Sequence, residues 1–157
     1  MSKLAALSAY ITALRLVGKG GVKRVSRAVS EEAKLLVDQG FARGIDPDGG
    51  AWVGLAVRAG QPLRDTGRLQ RSLAPVDTGR GFRISTNLRY ARIHQEGGTV
   101  STAKRTLFNP RTKMAFGKKV RIPARPFLPR DSKLPARWSK ELNEAAREAI
   151  RHLLKKR

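Results

Sequence analysis

The sequence predicts an α+β fold, an antiparallel sheet flanked by helices, on three observations. Apolar residues recur at helical spacing near both ends, at Leu4, Leu7, Ile11 and Leu14 and at Leu142, Ala145, Ala149, Ile150 and Leu153. In the middle, Phe82, Ile84 and Thr86 alternate with Arg83 and Ser85, the period of a strand with one buried face. Between the strand region and the last helix stand Pro123, Pro126, Pro129 and Pro135, which bar helix across most of that stretch.

In order along the chain, an amphipathic helix over 4–14 is expected to end or bend at Gly18-Lys19-Gly20-Gly21. A secretory signal is not expected, because Ser8, Tyr10 and Thr12 interrupt the apolar stretch and no small-residue cleavage pattern follows. A second helix over 22–39 carries the stripe Val22, Val25, Val29, Ala33, Leu36 and Val37, with Gly40 as its C-cap. Asp46-Pro47-Asp48-Gly49-Gly50 is turn chemistry. A short helix is expected within 63–73, capped by Asp65 or Thr66, with Leu69 and Leu73 facing inward. A strand over 82–86 leads through Asn87 to a second strand over 88–95. Gly97-Gly98 opens a polar, basic excursion, a long hairpin or arm, and 120–122 resumes extended structure. The last helix runs over 136–154, its basic end complementing the helix dipole. The 157 residues fit one domain, with a helical region over 1–40, a core from 41–96 and 120–157, and the basic excursion over 97–121.

Charge is the dominant compositional feature. Lys and Arg number 33 against 12 Asp and Glu, a formal net charge of +21. That footprint suits nucleic acid, an anionic surface or an acidic protein partner. It is unevenly spread. Residues 97–130 hold nine basic residues and no acid, and the arm alone carries Lys104, Arg105, Arg111, Lys113, Lys118, Lys119 and Arg121. Val100, Leu107, Met114, Phe116 and Val120 are apolar anchors there, too few to offset the ordering entropy, and self-repulsion disfavours a compact arm without counter-charge. No apolar run reaches the length of a membrane span, so no membrane association is expected. Cysteine is absent, which excludes disulfides, thiol catalysis and cysteine-ligated zinc.

No catalytic constellation or cofactor site emerges. Asp65-Thr66-Gly67-Arg68 and Asp77-Thr78-Gly79-Arg80 repeat the tripeptide of aspartic proteases. The adjacent arginines would hold both carboxylates ionised, whereas that chemistry needs them to share a proton. Asp46 and Asp48 lack the further oxygen ligands of a calcium loop, and His94 and His152 have no metal-site spacing. Gly18-Lys19-Gly20-Gly21 lacks the closing residues of a phosphate loop, and no Gly-x-Ser-x-Gly elbow occurs. Phe108, Phe116 and Phe127 are too sparse for a stacking platform, so any nucleic-acid contact would be to phosphates.

Four segments form an ordered pattern: Phe41 with Asp46-Pro47-Asp48-Gly49-Gly50, Trp52 and Leu55; Gly60-Gln61-Pro62-Leu63 through Thr66-Gly67-Arg68-Leu69 to Ser72-Leu73; Thr86-Asn87 with Tyr90-Ala91, Ile93-His94-Gln95 and Gly97-Gly98; and Ile122-Pro123-Ala124-Arg125-Pro126-Phe127-Leu128. In this order and spacing they resemble the phage virion morphogenesis family of Mu-like phages, which includes tail completion proteins. The resemblance covers about 41–129.

The physics of these residues is that of scaffold and interface. Trp52 is expected to anchor the turn-rich segment, and Leu69, Leu73, Ile93 and Phe127 to share the core. Tyr90 and His94 are expected on one face of a strand. Thr66, Gly67, Gly97, Gly98, Arg125 and Pro126 complete the scaffold or interface set. The resemblance implies a structural virion protein of the neck or tail top, assembled in the host cytoplasm and acting in tail completion and head–tail joining. Its implied partners are copies of itself in a ring, hexameric by analogy with tail symmetry, other neck and tail proteins, and packaged DNA through nonspecific contact. It implies no cofactor and no enzyme activity. The alternative that charge alone supports is a nonspecific nucleic-acid-binding protein.

Overall fold

The computed structural model describes residues 3–56, 59–78, 81–101, 107–109, 114–116, 119–130 and 134–155. Helix α1 spans Lys3–Arg43, with one non-helical residue, Gly18, at a φ of 54°. Glycine adopts that conformation without the Cβ clash other residues incur, and two helical stretches meet at this kink, where the sequence places the break. Its C-terminus lies a turn beyond the expected Gly40. Gly44, at a φ of 69°, closes it by donating from its backbone N–H to the Gly40 carbonyl at 2.8 Å. The extra turn buries Phe41, which has no solvent exposure.

After α1, the Asp46–Gly50 turn forms as the residues require. Gly49 N–H donates to the Asp46 carbonyl at 3.0 Å, and Gly50 N–H donates to Asp46 Oδ1 at 2.7 Å. Helix α2 is Arg68–Ser72. Its N-cap is Gly67 in the left-handed region, one residue beyond the expected Thr66, whose Oγ1 still accepts from the Arg68 N–H at 3.4 Å. Strand β1 is Ala74–Asp77 and β2 is Phe82–Ser85, paired antiparallel with Ala74 opposite Ser85. Pro75 fits β1 because the strand has a single partner.

The segment expected as a second strand over 88–95 is a helix instead: α3 spans Ala91–Glu96. Its apolar and polar residues satisfy either period over so short a length. The local hydrogen bonds decide for helix, with Ala91 N–H on the Leu88 carbonyl at 3.0 Å and Gly97 N–H on the Ile93 carbonyl at 2.9 Å. Tyr90 and His94 therefore share a helical face, one turn apart, with ring centroids 5.9 Å apart and edge to face.

Strand β3 (Gly98–Ser101) pairs antiparallel with β6 (Lys119–Ile122), and β4 (Leu107–Asn109) pairs with β5 (Met114–Phe116). The described sheet structure is thus three separate two-stranded ladders. Of the arm cations, Lys119 and Arg121 lie in β6, while Lys104, Arg105, Arg111, Lys113 and Lys118 lie outside the described residues. Helix α4 spans Ala136–Lys155 and packs along α1. The core joins Ala33, Leu36, Val37 and Phe41 of α1 with Trp52, Leu69, Leu73, Ala91, Phe127 and Trp138. Ile93, expected among them, is only half-buried and lies against Gly98. The α4 stripe Leu142, Ala145, Ala149, Ile150 and Leu153 is likewise half-buried, leaving Trp138 as the buried anchor of that helix.

Candidate functional site

Two of the other patterned segments meet at the fourth, 122–128. The loop after α1 enters from one side. Trp52 is delivered by its own backbone N–H, which donates to the Gly44 carbonyl at 2.9 Å. Its indole then packs edge to face on Phe41 at 5.3 Å, and Nε1 donates to the Pro126 carbonyl at 2.7 Å. Burying an indole is favourable when its N–H finds a partner. Phe127 also packs against Phe41, with centroids 5.7 Å apart.

Arg125 is buried, at 6% exposure. Its Nε donates to the Val53 carbonyl at 2.7 Å and Nη2 donates to the Gly54 carbonyl at 2.8 Å. The guanidinium thus takes two carbonyls of an irregular loop at once, a use of its planar fork that a lysine cannot repeat. Burial pulls its pKa below the ordinary value.

Helix α3 holds the same segment from the opposite side. Arg125 N–H donates to the His94 carbonyl at 2.7 Å. Gln95 Oε1 accepts from the N–H groups of Phe127 at 3.0 Å and Leu128 at 3.1 Å, while its Nε2 donates to the Leu128 carbonyl at 2.7 Å. One side chain so replaces a strand neighbour for a stretch whose prolines bar it from an ordinary ladder. At Gly97, with φ at 75°, a Cβ would sit 2.7 Å from the Ala124 backbone nitrogen, so only glycine lets the two segments approach this closely.

His94 lies against this junction. Desolvation, then the nearby Arg125 charge, lowers its pKa from 6.5. Its Nδ1 is buried without a hydrogen-bond partner among the described residues. The imidazole therefore stays neutral to lower pH in the folded protein than in the unfolded chain, which takes up a proton as pH falls through about 6.5. Between that value and the lower folded pKa the unfolded state binds more protons, so stability is lost as pH drops across the window. Below the folded pKa the loss levels off. Urea midpoints at pH 7.5 and pH 5 should therefore differ more for the wild type than for His94→Phe. Equal differences would remove His94 from the acid sensitivity.

The other motif residues lie beside this junction. Leu69 and Leu73 are in the core, and Ser72 Oγ meets Thr86 Oγ1 at 2.7 Å to join α2 to the turn before α3. Thr66 and Gly67 shape the entry to α2, where Arg71 Nη2 donates to the Thr66 carbonyl at 2.9 Å. Gly98 sits at a φ of 151° where α3 passes into β3. The sequence pattern contained Gln95 without revealing its role. Gln61 is a second such residue: its Nε2 donates to the Phe41 carbonyl at 2.5 Å, at the end of α1. Neither has a local sequence signal, because the partners lie 33 and 20 positions away.

What the arrangement does chemically is hold backbone. Asp65 and Asp77 are both exposed, unlike a proton-sharing carboxylate pair. Among the described residues no group of three or more His, Asp or Glu is placed to hold a metal ion. Among them, too, no helix is long and apolar enough to cross a membrane. The α+β fold thus spends its motif residues on bracing one proline-stiffened segment, in a chain of net charge +21. Residues 3–157 match the phage virion morphogenesis family, and the chain belongs to it. It is 36% identical over 102 residues to the Mu-like prophage FluMu G protein 2 of Haemophilus influenzae, a match covering 65% of this chain and 62% of that relative. No solved structure matches the chain. The membership places the protein in phage virion assembly.

Proposed function

We propose that the chain is a structural, non-enzymatic subunit of the neck or tail top, acting in tail completion and head–tail joining. In this reading it forms a ring of identical copies, a hexamer matching tail symmetry, seated among other neck and tail proteins in the virion after assembly in the host cytoplasm. The family match over nearly the whole chain carries the reading. The junction around Arg125 supports it, because a braced segment suits a part that must keep its shape under load. The net charge of +21 adds a nonspecific contact to DNA passing through such a ring.

Deleting the gene tests this directly. The expected result is full-length tails and fillable heads that do not unite, with the chain itself detected in intact wild-type particles by mass spectrometry. Loss of tail polymerisation with normal heads would refute the completion role. Absence of the chain from particles, with strong salt-dependent shifts of duplex DNA by the small free protein, would favour the nucleic-acid reading instead.

A further inference from the structure

Helices α1 and α4 run antiparallel. Arg137 at the start of α4 donates to Gln39, and the other end of α4 lies beside residues 28–35. Between them runs an open groove lined by Ala28, Leu35, Ala145 and Ala149, rimmed by Glu31, Glu32, Glu148 and His152. Small residues on both helices keep its floor shallow, and Leu35 stays 48% exposed there. The groove is lined by three carboxylates and no lysine or arginine, on a chain with 33 basic residues. The ion pairs at its edge are weak restraints. Arg27–Glu31, at 2.9 Å, is largely solvated, and Glu148 stands 3.8 Å from a histidine nitrogen.

We propose that this groove is the docking site for the basic 97–121 tract of a second copy of the chain. The inference rests on the ring-forming reading above and names the contact that would close it. Copies bearing +21 each repel one another, so stable self-association requires that opposite charges meet at the interface. The tract supplies the complement, with Lys104, Arg105, Arg111, Lys113, Lys118, Lys119 and Arg121 and no acid. It also carries Leu107, Phe108, Met114 and Phe116, apolar residues suited to the alanine and leucine floor. A tract on one copy and a groove on the next make a head-to-tail contact, the kind that closes into rings.

The test uses the full-length chain after nuclease treatment, sized by analytical ultracentrifugation. Two variants are compared: a groove variant with Glu31→Lys, Glu32→Lys and Glu148→Lys, and an arm variant with Arg105→Glu, Arg111→Glu and Lys113→Glu. Each alone should be monomeric where the wild type is assembled, and about 1 M salt should loosen the wild type by screening. Mixed at equal concentration, the two should associate again, because the mixture pairs the intact arm with the intact groove and the reversed arm with the reversed groove. Circular dichroism checks that each variant folds. The milder Glu→Gln set at the same three groove positions should weaken assembly about tenfold or more, as loss of one side of buried charge pairs does. A wild-type monomer at all concentrations overturns the inference, as does a groove variant that assembles normally or a mixture that stays monomeric. A groove variant that assembles and completes tails like the wild type leaves the virion role intact, whereas absence of the wild-type chain from particles removes that role.

Discussion

Phe41→Ala is expected to cost about 3–5 kcal/mol of stability, the range for truncating a buried aromatic side chain. For a domain whose whole stability is about 5–15 kcal/mol, that is enough to leave much of it unfolded at growth temperature. The size follows from position. Phe41 has no solvent exposure and is the ring on which Trp52 and Phe127 both pack. Removing it leaves a cavity where the last turn of α1, the loop after it and the 122–128 segment converge, so no single element can collapse to fill it. Denaturant titration of the purified chain measures the loss. A cost below about 1 kcal/mol would mean that the three segments relax onto each other and that the junction is softer than its geometry indicates. Ile93→Ala, at a half-buried site, should cost distinctly less, although the sequence reading places Ile93 and not Phe41 in the core.

That contrast shows what the sequence makes legible. The α+β class and the two long helices can be read directly, because helical periodicity accumulates over many turns in α4 and the second half of α1. Strand β2 is readable for the same reason at its shorter period. The elements that mislead are the short ones. Over the six residues of α3 a helix and a strand place nearly the same side chains inward, and only the turn before it and Gly97 after it decide. Strand β1 is hidden by Pro75 and Asp77, both poor strand formers, which an edge position tolerates. At the end of α1, two glycines four positions apart compete as the stop. Burial of Phe41 carries the helix past the first to the second.

The site is legible as a pattern but not as a mechanism of bracing. Trp52, Arg125 and Phe127 stand out by type and spacing, and in the structure they converge on one junction. Their partners do not stand out, because backbone carbonyls carry no sequence signal. Gln95 is the sharpest case. It makes three hydrogen bonds to the proline-stiffened segment, yet an isolated glutamine near a helix end reads as surface. The acidic groove escapes for another reason. Its glutamates lie on two helices more than a hundred positions apart, and only the packing of α1 on α4 gathers them.

Arg125→Lys separates charge from geometry at the junction. The substitution keeps the positive charge and most of the aliphatic stem, so a site needing only a cation would tolerate it. The fork is what differs. Arg125 Nε and Nη2 reach the Val53 and Gly54 carbonyls simultaneously, whereas a lysine ammonium at the same depth can serve one carbonyl well and leaves the other without its charged donor. The expected loss is therefore about 1.5–3 kcal/mol, one hydrogen bond to a charged group, and Arg125→Ala should lose more by stranding both carbonyls. Because Val53 is itself 58% exposed, the residues released lie at the surface, where hydrogen exchange can follow them. Faster exchange confined to 51–56 with α4 unchanged would place the damage in the braced loop. A lysine variant with the wild-type denaturation midpoint would show that the charge suffices and that the two-carbonyl fork contributes nothing.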